Sequence, residues 1–160
     1  MPKPRVYVET TIPNFYYERR PQPELVARRD LTRVWWEDAF ARYELMTSST
    51  VLDELAAGTS NRVPLRVALI RGLPLLLPSP EIQQIAEIYV LHRLMPSRPN
   101  NADATHLALA SFYRCDFIVT WDSKHLANPN KVTHIRRINA ALNLHVPELL
   151  TPRDLLGRMR

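Results

Sequence analysis

Short β-branched and apolar runs alternate with longer stretches of helical spacing along most of the chain. Arg5-Val6-Tyr7-Val8-Glu9 reads as a first strand, and Thr10-Thr11-Ile12-Pro13 breaks it. From Glu24 to Tyr43 apolar residues recur at helical intervals, with Leu31, Trp35 and Ala39 on one stripe and Trp36, Phe40 and Tyr43 on another. The spacing predicts a helix apolar over a broad arc, with cover required for both adjacent tryptophans. Leu45-Met46-Thr47 is a second strand, and Ser48-Ser49-Thr50 supplies cap residues for a helix from Val51 to Ala57 that stops at Gly58. Val63 to Arg71 is helical, Leu75-Leu76-Leu77 is a short buried strand, and Pro80 opens a helix from Glu81 to Leu94. Asn100 or Asn101 caps a helix from Ala102 to Tyr113. Phe117 to Thr120 is a strand, Val132 to Leu142 a helix, and Leu149-Leu150-Thr151 a last strand before Pro152. Strands separated by helices predict a parallel sheet covered on both faces, a single α/β domain over residues 1–160.

Composition narrows the class. The chain has 160 residues, 46% of them apolar and 23% charged, enough for one packed core and against disorder. Three glycines against fourteen prolines leave the punctuation to proline. One cysteine excludes an internal disulfide framework and a multi-cysteine zinc site, which suits a reducing cytoplasm. The apolar run Leu73 to Leu77 is interrupted by Pro74 and falls far short of the roughly 20 residues that cross a bilayer. Met1 to Pro4 carries no apolar signal core, so a soluble cytoplasmic protein is expected. Lys and Arg number 21 against 16 Asp and Glu, a net charge of +5. That balance suits a polyanion, although a solubilising surface explains it equally well until it is joined to a site.

Ligands of open α/β sheets bind outside the carboxyl ends of the strands. Glu9 closes the first strand and Asp122 lies two residues past Thr120, while Glu54 and Asp103 stand near helix starts that follow loops. Carboxylates brought together repel one another until some protonate or a cation sits among them. An oxygen-only set selects a hard ion, Mg²⁺ or Mn²⁺, suited to phosphodiester hydrolysis. Each acid also has a plain structural reading as a helix-dipole partner. Asp53 fits that reading best, since Thr50-x-x-Asp53 has the form of a capping box. Glu54, beside Leu55 and one turn after Val51, falls nearer the apolar side, where an acid needs a partner.

These residues resemble the PIN-domain nucleases. Val6-Tyr7-Val8-Glu9-Thr10-Thr11 and Ser48-Ser49-Thr50-Val51-Leu52-Asp53-Glu54-Leu55 are similar to the family's first two signatures. Asp103-Ala104-Thr105-His106-Leu107-Ala108-Leu109-Ala110 and Ile118 to Asn128 are similar to the next two, and Thr151 to Leu156 matches the close of the domain. The resemblance implies a three-layer α/β/α sandwich and a Mg²⁺- or Mn²⁺-dependent endoribonuclease, the VapC-like toxin of a toxin–antitoxin pair. It assigns Glu9, Glu54, Asp103 and Asp122 as catalytic and metal-binding residues, with Thr11 as the hydroxyl that supports the first acid. It also implies an RNA substrate, a cognate antitoxin and a homodimer. Glu9 departs from the family's usual Asp and carries its carboxylate one methylene further out.

Secondary candidates keep two readings each. His106, three positions after Asp103, either orients that acid or a metal-bound water, or is a hydrogen-bonded structural histidine. Lys124 and His125 either contact phosphate or simply shape the loop after Asp122, and Asn128 braces it. Arg19, Arg20, Arg28, Arg29 and Arg33, joined by Arg136 and Arg137, either track RNA or form a solvated face. Two other functions stay open at this level: a PIN-like module that binds RNA or protein without cutting, and a metal phosphoesterase acting on DNA.

Overall fold

A computed structural model describes residues 2–158; the ends of the expected 1–160 domain, Met1, Met159 and Arg160, lie outside the described residues. The strands are β1 (Arg5–Val8), β2 (Glu44–Ser48), β3 (Leu75–Leu76), β4 (Phe117–Val119) and β5 (Glu148–Leu150). They form one parallel sheet in the order β3-β2-β1-β4-β5. Val6, Tyr7, Val8, Ile118 and Val119 are wholly buried, as expected of parallel strands with helices on both faces. Sequential strands run outward from β1 to β3, and the chain then crosses to β4 on the other side of β1. Such a reversal leaves a crevice at the carboxyl ends of β1 and β4.

The helices are α1 (Thr11–Tyr16), α2 (Pro23–Arg42), α3 (Ser49–Ala56), α4 (Val63–Ile70), α5 (Pro80–Leu91), α6 (Ala102–Phe112), α7 (Val132–Ala141) and α8 (Pro152–Gly157). α2 packs on α1 and α8, while α6 packs on α5 and α3, giving the three-layer α/β/α sandwich. α6 is the core helix: Ala104, Leu107, Ala108, Leu109 and Ala110 are fully buried, and its small residues let neighbouring elements approach closely. Among the described residues no helix is long and apolar enough to cross a membrane.

Several local expectations are corrected. Thr10 to Pro13 does not only break β1: Thr11 starts a helix, with Pro13 still in the first turn, where proline's missing N–H costs nothing. Phe40 is 54% exposed, so the second stripe is covered at Trp36 and partly at Tyr43, which stacks on Trp35, but not at Phe40 between them. Leu75-Leu76-Leu77 is not a buried strand; it pairs over two residues at the sheet edge, and Leu77 is 57% exposed. The helix cap after β2 is Ser48, whose Oγ accepts from the Val51 N–H at 3.2 Å, so Asp53 forms no capping box and stays exposed. A true capping box occurs instead at Thr151 and Asp154, where Pro152 begins α8 rather than merely ending β5.

The helix expected to reach Leu94 ends at Leu91 for a reason the sequence disguises. Arg93, Arg114 and Asn143 sit in the left-handed region at φ near 60°, 59° and 57°, just after α5, α6 and α7. At each the chain makes a paired closing bond, such as Leu94 N–H to the Tyr89 carbonyl at 2.9 Å and Cys115 N–H to the Ala110 carbonyl at 2.8 Å. This Schellman closure normally employs glycine. Here it swings Leu94 and Cys115 into the core instead.

Candidate active site

Glu9 follows directly on β1, and its N–H continues the ladder to the Val119 carbonyl at 3.2 Å. The side chain is 4% exposed and folds back on its own strand end. Its Oε1 accepts from the Thr11 N–H at 3.0 Å, the Thr11 hydroxyl at 2.5 Å and the Thr120 hydroxyl at 2.6 Å. Thr11 and Thr120 in turn accept the N–H groups of Trp121 and Asp122 at 2.8 and 2.9 Å, which staples the ends of β1 and β4 together. The extra methylene of Glu9 is thus spent in reaching this network. Burial pushes the Glu9 carboxyl above its ordinary range, against the charge of His106 and the threonine hydrogen bonds.

Glu54 arrives on α3. Its Oε1 accepts from the Thr10 hydroxyl at 2.6 Å and pairs with His106 Nε2 at 2.5 Å. Burial alone would raise its pKa, but the hydrogen bond and charge of His106, with help from Thr10, outweigh it and hold the carboxyl below the usual range. His106 itself is fully buried on α6. Burial acts to lower its pKa, yet the hydrogen bond to Glu54 and the charges of Glu9, Glu54 and Asp103 raise it overall. Its Nδ1 meets the Tyr7 hydroxyl at 2.6 Å, and that hydroxyl meets Ser48 Oγ at 2.7 Å. With the ring neutral, Nε2–H donates to Glu54 and Tyr7 donates into Nδ1. With the ring protonated, both N–H groups donate and Tyr7 turns its proton to Ser48.

Ligand atoms of Glu9, Glu54 and His106 lie within 4.8 Å of one another. Both nitrogens of His106 are already engaged, so the group offers carboxylate oxygen rather than imidazole to an ion. Among the described residues no hydrogen bond reaches the second oxygen of Glu9 or of Glu54. Each carboxylate is therefore anchored by one oxygen and bare at the other.

Asp103 and Asp122 stand outside this inner group among the described residues but share its field. Burial, and next the charge of Asp122, raise the Asp103 pKa, while His106, Arg98 and His125 oppose them. Asp103 Oδ2 lies 3.8 Å from Arg98 Nε, whose guanidinium also reaches His125 Nε2 at 3.1 Å. Asp122 Oδ1 accepts the backbone N–H groups of Lys124 and His125 at 3.1 and 3.0 Å. Lys124 thus meets Asp122 by its main chain, and among the described residues its side chain forms no ion pair or hydrogen bond. Asn128 Nδ2 bonds the Lys124 carbonyl at 3.0 Å, the bracing role expected of it.

Thr10, Thr120, Tyr7, Ser48, Arg98 and Lys131 were not singled out as site residues from sequence. Lys131 donates to the His125 carbonyl at 3.0 Å; burial lowers its pKa, and the nearby Asp122 and Asp103 charges oppose that. Tyr7 carried a signal, a phenol between Val6 and Val8 on a wholly buried strand, where its hydroxyl needs a partner. Nothing in the local pattern marks Arg98 or Lys131. Most of the arginine stretch on α2 is otherwise engaged. Arg28 pairs with Glu24 and stacks over Phe15 and Trp121, Arg29 bonds Asp30, and Arg33 donates to the Tyr16 carbonyl. Cys115 is buried, and burial pushes its thiol up to about 12. A cavity of about 700 Å³ between α7 and β5, lined by Val132, Ile135, Val146 and Leu150, contains none of the four acids.

No family model and no curated protein sequence matches the chain. Solved structures of similar fold do exist. The structure of FitAB bound to an IR36 DNA fragment is 14% identical, with a TM-score of 0.53 over 92% of this chain and 94% of that one. FitAcB from Neisseria gonorrhoeae is 13% identical, with a TM-score of 0.53 over 92% and 97%. VapBC2 from Rickettsia felis, bound to a DNA fragment from their promoter, is 13% identical, with a TM-score of 0.57 over 92% and 98%. The likeness establishes the PIN-like fold, in agreement with the α/β/α expectation.

Proposed function

We propose that the chain is a metal-dependent endoribonuclease acting as the toxin of a toxin–antitoxin pair. The observation that carries this reading is the pair of half-anchored carboxylates, Glu9 and Glu54, at the crevice between β1 and β4. Bare, partly desolvated carboxylate oxygens beside further acids fit a hard divalent ion, Mg²⁺ or Mn²⁺, better than any soft metal. Glu9 and Glu54 would hold the ion through their free oxygens, with Asp103 and Asp122 completing the acidic pocket. A bound ion of this kind supplies an activated water and charge stabilisation for phosphodiester hydrolysis.

The chain's own residues perform the positioning. Thr11 and Thr120 fix Glu9, while His106, itself held by Tyr7 and Ser48, fixes Glu54. Second partners of this kind typically carry about 10–100-fold in metal affinity. Lys124 and His125 stand beside Asp122, where they meet a substrate phosphate. FitAB, FitAcB and VapBC2 support an antitoxin partner by likeness of fold. The exposed Val34 and Phe40 of α2 offer apolar surface for a homodimer or that partner.

A second reading, a PIN-like module that binds without cutting, is favoured by one feature: the His106 imidazole, whose pKa is raised chiefly by its hydrogen bond to Glu54, already pairs with that carboxylate where an ion would act. The test is cleavage of a mixed-sequence RNA with Mg²⁺ or Mn²⁺, with EDTA and Asp103→Asn controls and a matched DNA. Metal-dependent cutting of RNA, lost in the variant, is expected. Preference for DNA supports the phosphoesterase instead. Absence of both cutting and calorimetric metal binding favours the binding module.

A further inference from the structure

An acidic pocket repels the polyanion that the proposed function requires it to receive, so a cationic group must hold the strand nearby. The arginines of α2 are largely committed to packing and ion pairs, as described above. A different set is free. A cavity of about 410 Å³ opens between the end of α1 and the start of α4, with Arg19, Arg20, Arg62 and Arg66 among its lining residues. The single carboxylate there, Glu18, is occupied by Arg20 at 2.8 and 2.9 Å. That hydrogen-bonded ion pair holds the Glu18 carboxyl down at about 2. Among the described residues the guanidinium groups of Arg19, Arg62 and Arg66 form no ion pair and no hydrogen bond. Nε of Arg66 is shut off from solvent and meets no partner at all. The rest of the Arg66 side chain is only half-buried and lines the cavity.

Chain connectivity ties the cavity to two of the acids through short elements. α1 begins at Thr11, which holds Glu9, and delivers Tyr17 to Arg20 after six residues, roughly 9 Å along a helix axis. α3 carries Glu54 and leads through Ser60 and Arg62 into α4, which packs on α1. Three free guanidinium forks around one hollow match a tetrahedral phosphate, which several arginines can contact bidentately. We propose that the cavity of Arg19, Arg62 and Arg66 is a phosphate subsite that holds the RNA backbone beside the acidic pocket. This rests on the ribonuclease reading for the identity of the strand, though not for the site itself.

The test is binding of a short fluorescein-labelled single-stranded RNA in EDTA, so that cleavage plays no part. Anisotropy is followed across salt concentration for the wild type, for Arg19→Gln/Arg62→Gln and for an Arg136→Gln/Arg137→Gln control on α7. One phosphate neutralised on a single strand contributes a slope of about 0.7 in log K against log salt. The first variant is expected to lose at least that slope, about fivefold in affinity near 0.1 M salt, with an unchanged melting temperature. The control is expected to retain both. An unchanged slope in Arg19→Gln/Arg62→Gln, or an equal loss in the control, overturns the subsite. So does displacement of the RNA by poly-glutamate at equal charge, which marks a site for an acidic protein segment. A slope lost in the variant of a protein that never cleaves RNA upholds the subsite and discards the nuclease.

Discussion

His106 is the residue whose removal separates the site's structure from its chemistry most sharply. Replacement by leucine, similar in volume, deletes the bond between Nε2 and Glu54 at 2.5 Å and the bond between Nδ1 and the Tyr7 hydroxyl at 2.6 Å. A hydrogen bond to a charged partner is worth about 1.5–3 kcal/mol and a neutral one about 1. The loss should therefore be about 3 kcal/mol, within the range for breaking one side of a buried pair. Burial of the imidazole opposes its charged form, but Glu54, Glu9 and Asp103 raise its pKa overall. A raised histidine pKa stabilises the fold fully below the unfolded value near 6.5, and that part is lost as pH rises through the folded value. Urea denaturation from about pH 6 to about pH 9 should show the wild type weakening with rising pH and the His106→Leu variant lacking that slope. A variant as stable as the wild type, or one with the same pH slope, refutes the pairing.

Glu9→Gln should raise the melting temperature of the metal-free protein, because burial raises the Glu9 pKa and makes its charged form unfavourable above the unfolded value near 4.5. The same variant should abolish calorimetric Mn²⁺ binding. Added Mg²⁺ or Mn²⁺ should stabilise the wild type by about 2.7 kcal/mol at 100 times its dissociation constant, and EDTA should reverse the shift in a thermal melt. Arg114→Gly should stabilise the fold by about 1 kcal/mol in urea, since Arg114 holds φ near 59° where a side chain is strained. Tyr89→Phe should cost about 1–3 kcal/mol by the same measurement, because its hydroxyl donates to the buried Asn139 at 2.6 Å and Asn139 would keep an unmet acceptor.

How much of this was legible in the sequence depended on whether a signal was local. Buried parallel strands announce themselves as apolar runs, so β1, β2 and β4 fell close to their observed bounds. Helix ends were hidden where arginine or asparagine, rather than glycine, takes the left-handed position, which is why the helix beginning at Pro80 was carried past Arg93. α1 was missed because Pro13 reads as a breaker unless the helix start at Thr11 is already known. Glu9 and Glu54 were found from their places at a strand end and on an apolar helix side. Of their immediate partners Thr11 and His106 were named, but Thr10 and Thr120 were not, because they meet the two acids only through pairings across the sheet and between layers. His106 was readable as a hydrogen-bonded histidine, and its hydrogen bonds go to Tyr7 and Glu54 rather than to Asp103, the acid whose spacing had suggested it.

The excess of basic residues gains its meaning from this division of labour. Net charge alone described a surface. The folded chain divides the arginines into those that pack, such as Arg28 over Trp121, those that neutralise, such as Arg20 against Glu18, and those without a partner among the described residues, three of which, Arg19, Arg62 and Arg66, line one cavity. A protein that only needed solubility would gain nothing by shutting an unpartnered Arg66 Nε away from water. Likewise a protein that only needed stability would gain nothing by burying the Glu9 carboxyl, since burial is what raises its pKa. The two groups carry opposite charge, one on α4, which packs on α1, and the other just before α1 begins. On the proposed reading, a phosphodiester in the cavity would neutralise the free guanidinium groups and a divalent cation would neutralise the acidic pocket. Stability given up at two neighbouring, oppositely charged places is the pattern expected where function opposes folding.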